Sequence, residues 1–146
     1  MDLEDLYPDE QESVEPVGYI VYNEIIIDHF KNPRHVGEIE SPDSVAIVGD
    51  PNCGDHIQLH LKIADGNISD LRYKVFGCPA AIATTSILSE LAIGNSLDEA
   101  LMITDDDVIE AAGGIPARKA HCSLLGVSGF HSAIADHLSD KEKQAQ

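Results

Sequence analysis

From His56 to Ile63 the chain alternates: Ile57, Leu59, Leu61 and Ile63 are apolar, and His56, Gln58, His60 and Lys62 between them are polar. A period of two puts one set on each face of a β-strand. Asp65-Gly66-Asn67 follows, with the residue types that a tight hairpin turn demands. Leu71, Tyr73 and Val75 then alternate with Asp70, Arg72 and Lys74, and Val45–Val48 is a shorter strand candidate upstream. Together these segments predict a small antiparallel sheet with one buried face and one face in water.

After Cys78 the pattern becomes helical. Pro79 suits a first helical position, AAIATTSILSELAI continues it, and Gly94 is a stop signal. Ser96 is a cap for SLDEALMI, and Thr104 or Asp105 for DDVIEAA before Gly113-Gly114. Pro116 is expected to open a last helix running to about Leu138, with Leu124, Val127, Ile134 and Leu138 inward. Gly126 and Gly129 inside it each cost about 1 kcal/mol of helix propensity relative to Ala. Near the start, Tyr19 to about His29 reads as a helix with Ile20, Tyr22, Ile26, Ile27 and Phe30 on its apolar face. Asn32-Pro33 ends it, because the residue before proline avoids helical backbone. Strands followed by helices predict an α+β fold: a sheet of about three strands covered on one face by helices.

Composition sets limits on this picture. With 146 residues, 43% of them hydrophobic, one globular domain is expected. Residues 1–17 read as an acidic, flexible tail, 18–140 as the domain and 141–146 as a short C-terminal tail. No stretch approaches the roughly 18 apolar residues of a membrane span. The start lacks a signal-peptide pattern, so a cytoplasmic location is expected. The net charge of −17 disfavours nucleic acid and anionic lipid, and serves either solubility or attraction to basic partners.

Three cysteines, an odd number, do not make a disulfide scaffold. For one cysteine alone the ordinary reading is a buried structural thiol. All three, however, sit at junctions between predicted elements: Cys53 before the alternating strand, Cys78 between strand and helix, and Cys122 near the last helix start. A helix N-terminus favours thiolate through its unpaired N–H groups. The hairpin returns the chain, so Cys53 and Cys78 fall at one end of the sheet. Asp55, two residues after Cys53, and His121, directly before Cys122, add oxygen and nitrogen donors. Three thiolates with one such donor suit iron with sulfide, and equally a tetrahedral Zn²⁺. His56 and His60 are expected on the solvated strand face, and His29, His35, His131 and His137 as surface or packing residues. Asp105-Asp106-Asp107 reads as capping and surface charge.

The motifs resemble one family, the iron–sulfur cluster assembly scaffolds of the IscU and NifU N-terminal type. They are Tyr22-Asn23 with Asn32-Pro33-Arg34-His35-Val36-Gly37, then Val48-Gly49-Asp50-Pro51-Asn52-Cys53-Gly54-Asp55, Phe76-Gly77-Cys78 with Ala81-Ile82-Ala83, and Lys119-Ala120-His121-Cys122-Ser123. The resemblance implies a scaffold and carrier, not an enzyme. It implies that Cys53, Cys78 and Cys122 hold iron or a [2Fe–2S] cluster, with Asp55 or His121 in the fourth position, and Zn²⁺ in the same site as the other occupant. It also implies Cys122 as acceptor of persulfide sulfur from an IscS/NifS-like cysteine desulfurase. Apo-proteins or carriers would receive the cluster, and a ferredoxin belongs to the implied partner set. Ile115-Pro116-Ala117-Arg118-Lys119 keeps little of the Leu-Pro-Pro-Val-Lys run read by a dedicated Hsp70-type chaperone, which argues against that partner. The related SufU-type zinc-dependent sulfurtransferases are the alternative. They carry an extra segment between the second and third cysteines and lack the histidine of HCS. Here 44 positions separate Cys78 from Cys122, and His121 is present.

Overall fold

The computed structural model describes residues 22–49, 55–116 and 121–145, the last segment with side chains over 125–139. Among them are helix α1 (Glu24–Lys31), strands β1 (Ser44–Gly49), β2 (His56–Ala64) and β3 (Asn67–Phe76), and helices α2 (Pro79–Ala92), α3 (Leu97–Leu101), α4 (Asp105–Ala111) and α5 (His121–Ala145). The three strands form one antiparallel sheet in the order β1-β2-β3. Helices cover one of its faces, as the order of elements predicts. The β2–β3 hairpin turns on Asp65 and Gly66, both at positive φ (55° and 77°), the geometry for which an Asp-Gly pair is suited.

The inward alternation of β2 and β3 builds the core. Ile57, Leu59, Leu61, Leu71 and Tyr73 are buried against Ile87 and Leu88 of α2 and Val127, Phe130 and Ile134 of α5. Helix α2 is buried at ten of its 14 positions, so it lacks a polar face. Its polar groups are satisfied locally: Thr84 and Thr85 Oγ1 each donate at 2.8 Å, to the carbonyls of Ala80 and Ala81. The glycines of α5 gain by closeness what they lose in propensity. A Cβ on Gly129 would stand 3.0 Å from Val48 Cγ2, and one on Gly126 3.4 Å from Leu88.

Several expectations are corrected. Helix α1 begins only at Glu24, because Asn23 is extended (φ −77°, ψ 172°) and its Oδ1 caps the Ile26 N–H. The same side chain donates to the carbonyls of Ala112 and Gly114, at 2.8 and 3.1 Å, tying α1 to the end of α4. Within α1, His29 is buried and Phe30 is exposed, because hydrogen bonds let the ring of His29 take the inward place. Pro116 is not helical. The chain is still held there, by the Asn23–Gly114 contact and by Ile115 against the core, and α5 starts at His121. Leu138 is exposed past the last core contact at Ile134, and α5 continues through 141–145. Tyr19–Val21 and the side chain of Leu124 lie outside the described residues.

His60 is also buried, contrary to the solvated position expected of it. The segment between α1 and β1 leaves β3, where the Gly37 N–H donates to the Tyr73 carbonyl, and reaches the β1 side at Asp43. It therefore crosses the outer face of the sheet. The Ile39 N–H donates to His60 Nδ1 at 3.2 Å, Lys74 pairs with Glu38 at 2.7 Å and Lys62 Nζ donates to the Ser41 carbonyl at 3.0 Å. The polar alternation marks this face, and the crossing segment buries His60 within it.

α1 and α2 meet along a polar seam. His29 Nδ1 and Ser86 Oγ lie 2.7 Å apart, the Arg34 N–H donates to the same hydroxyl at 2.9 Å, and His29 Nε2 faces Glu90 at 3.3 Å. Burial holds the His29 imidazole below its ordinary range, with Arg34 adding to the effect and Glu90 and Asp28 opposing it. Burial likewise pushes the Tyr73 hydroxyl up to about 12. Since folded His29 resists protonation, its contribution to stability is complete above about pH 6.5 and is lost as pH falls through the lower folded value. Thermal melts should therefore show wild type weakening from pH 7 to pH 5. His29→Asn should flatten that slope; an unchanged slope would remove His29 as its source.

Candidate metal centre

One end of the sheet is a cross-strand row of Gly49, His56 and Phe76. The His56 and Phe76 rings stack on the outer face, with centroids 4.6 Å apart and planes at 10°. This pairing brings Asp55, just before β2, beside Gly77, just after β3. Cys78 follows as the N-cap residue of α2, in extended backbone (φ −74°, ψ 166°), with Pro79 occupying the first turn. Half-buried Cys78 packs against Ala80 and Ala81, as Tyr22 and Val75 also do, and its thiol donates to Asp55 Oδ2 at 3.6 Å.

Two glycines make this approach feasible. A Cβ on Gly77 would lie 2.7 Å from Asp55 Oδ1 and 2.8 Å from its Cγ. On the other side Gly49, at φ +93°, leaves room for the backbone: a Cβ there would lie 2.7 Å from His56 Cα and collide with the Asp55 carbonyl. Neither residue was singled out by composition or periodicity. The available signal was a glycine at the end of β1 and another directly after β3, beside the Cys53–Asp55 and Cys78 motifs.

Helix α5 points its start toward the same end. Ser44 Oγ donates to the Ala133 carbonyl at 2.6 Å, and Gly129 lies against Val48, so α5 descends in number as β1 ascends toward Gly49. The backbone of His121 and Cys122 continues past that end of β1. Of the expected site residues, Asp55 and Cys78 are thus in contact. Cys53 lies outside the described residues, as do the side chains of His121 and Cys122. Among the described residues no three His, Cys, Asp or Glu side chains converge. A thiol and a carboxylate in contact pair a soft with a hard donor type, and both types are ligands of iron and zinc.

The NifU-like N terminal domain matches residues 21–144, most of the chain. The chain belongs to this family. Iron-sulfur cluster assembly scaffold protein IscU 1 of Archaeoglobus fulgidus is 46% identical over 123 residues, covering 84% of this chain and 80% of the relative. The scaffold protein IscU of Escherichia coli K12 is 42% identical over 127 residues, covering 84% and 98%. In three dimensions the N-terminal NifU-like protein of Brucella abortus superposes with a TM-score of 0.68 at 22% identity, over 82% of this chain and 94% of that one. This likeness carries the fold, the three-stranded sheet with its helical cover that the family resemblance implies. No helix among the described residues is long and apolar enough to cross a membrane.

Proposed function

We propose that this NifU-like domain is a scaffold on which an iron–sulfur cluster is assembled and from which it is released. The observation that carries this reading is the likeness to proteins named as iron–sulfur cluster assembly scaffolds, at 42–46% identity over 84% of the chain. The contact of Asp55 with Cys78 supports it, because a carboxylate beside a thiolate gives the site one ligand that exchanges readily.

In this reading Cys53, Cys78 and Cys122 bind the cargo, a [2Fe–2S] cluster or its iron, and Asp55 or His121 completes the set. The same donors accept Zn²⁺. Sulfur arrives from a cysteine desulfurase. The Cys122 thiolate attacks the terminal sulfur of the donor's persulfide; the new S–S bond forms as the donor's breaks, and the donor cysteine leaves as thiolate. Release of that sulfur as sulfide takes an electron pair from a ferredoxin-class reductant and returns Cys122 to thiolate. The position of Cys122 as the second residue of a 25-residue helix supports this role, because unpaired backbone N–H groups in a first turn favour a cysteine thiolate. Recipients are apo-proteins or carriers in the cytoplasm.

Mass spectrometry after incubation with a desulfurase and cysteine should find the added sulfur on Cys122; a persulfide confined to Cys53 or Cys78 would reassign the acceptor. The overall reading is tested by anaerobic reconstitution with desulfurase, iron and cysteine, followed by transfer to an apo-ferredoxin. Visible absorbance with stoichiometric iron and sulfide is expected. A colourless protein that retains zinc and still accepts sulfur would make it a sulfurtransferase of the SufU type instead.

A further inference from the structure

We infer that Gly77 is a positioning residue whose missing side chain sets where the Asp55 carboxylate stands beside Cys78, and so how readily the site lets go of its metal. This rests on the cluster-carrying role proposed above, and it concerns a residue that donates nothing to a metal.

Gly77 is not needed for its backbone. It is absent from the glycines of positive φ, which are Gly37, Gly49, Gly66, Gly94, Gly113 and Gly114 among the described residues. No left-handed φ calls for glycine at 77, so the requirement is for space. That space is occupied by the end of one side chain: the three nearest atoms to a Cβ at 77 are Asp55 Oδ1, Cγ and Cβ, at 2.7, 2.8 and 3.3 Å. A methyl group there would strike a carboxylate that can rotate away, not a backbone that cannot.

The other walls hold Asp55 in place. Gly49 admits its carbonyl from the β1 side, and the His56–Phe76 stack fixes the register that puts Asp55 opposite Gly77. On the β3 side the carboxylate meets the hydrogen-only face of Gly77. Its other oxygen then meets Cys78 Sγ at 3.6 Å. An alanine at 77 would move the carboxylate off the thiol while leaving both donors in the chain.

The test is a double-mutant cycle, which isolates a pairwise effect. Gly77→Ala is made in the wild type and in Asp55→Ala, where the carboxylate is gone and the methyl group has room. Zinc release to a chromophoric chelator, the ligand-field spectrum of the Co²⁺ form and cluster transfer are read for all four proteins. Gly77→Ala alone is expected to shift the Co²⁺ spectrum toward that of Asp55→Ala and to slow release by at least about threefold, while changing release by less than about 1.5-fold in the Asp55→Ala background. Equal effects in both backgrounds, or none in the wild type, would overturn the inference. So would a double variant that fails to fold where Asp55→Ala folds, since the clash would then lie elsewhere. If the wild type assembles no cluster, the scaffold reading falls, and the zinc and Co²⁺ measurements still decide the role of Gly77.

Discussion

Replacing Asp55 by alanine should leave a cluster that forms but is given up about tenfold more slowly, or slower still, in transfer to an apo-ferredoxin. Tenfold corresponds to about 1.4 kcal/mol on the barrier to release. The reason is the chemistry of the pair. Thiolates bind iron and zinc firmly, and a carboxylate oxygen is a harder donor that yields to water or to an incoming thiolate. Asp55 stands at 3.6 Å from Cys78, with its position framed by Gly49 and Gly77, so its removal takes an exchangeable oxygen from the site without disturbing the core. The cluster's visible absorbance should decay more slowly in Asp55→Ala, and the iron content after desalting should be higher. Identical decay and transfer in the two proteins would show that release is controlled elsewhere.

A second large effect belongs to the backbone that supports the same corner. Gly49→Ala should destabilise the fold by about 2–4 kcal/mol, lowering the melting temperature by roughly 10 °C. Two costs add. At φ +93° an L-side chain is strained, and its Cβ would stand 2.7 Å from His56 Cα, in a strand that cannot swing aside. Gly114→Ala separates the two. Gly114 has φ +98° with no atom within 4 Å of a Cβ, so only the strain applies and the loss should be about half or less. Comparable melting points for Gly49→Ala and Gly114→Ala would show that close packing at Asp55–His56 contributes nothing.

Much of the fold was legible in the order of residues because local chemistry and tertiary packing agree there. The alternation from Ile57 to Ile63 encodes β2 and its buried face, and Asp65-Gly66 encodes a turn that few other pairs could make. Ser96 and Thr104 both proved to be N-caps, each in a reciprocal capping box, with Glu99 and Asp107. These signals span only a few residues, so they can be read without knowing the distant contacts. Helix limits were harder. Proline at 116 is compatible with a helix start but does not require one, and Pro116 is not helical, two residues after a Gly114 carbonyl held by Asn23 from far away in sequence.

For the site, the residues Cys53, Asp55, Cys78, His121 and Cys122 were all candidates from their types and their places at element junctions. Sequence determined the candidate donors, their order along the chain, the strands and caps of the fold, and the acidity of the chain. Only the tertiary structure decided that Asp55 rests on Cys78, that this contact runs through the empty side-chain positions of Gly49 and Gly77, and that His60 lies under a crossing segment. The physical reason is the same in each case. A glycine required for φ is announced by its own turn, but a glycine required for space is defined by an atom from another strand. Nothing within a few residues of Gly77 encodes the carboxylate that fills its place.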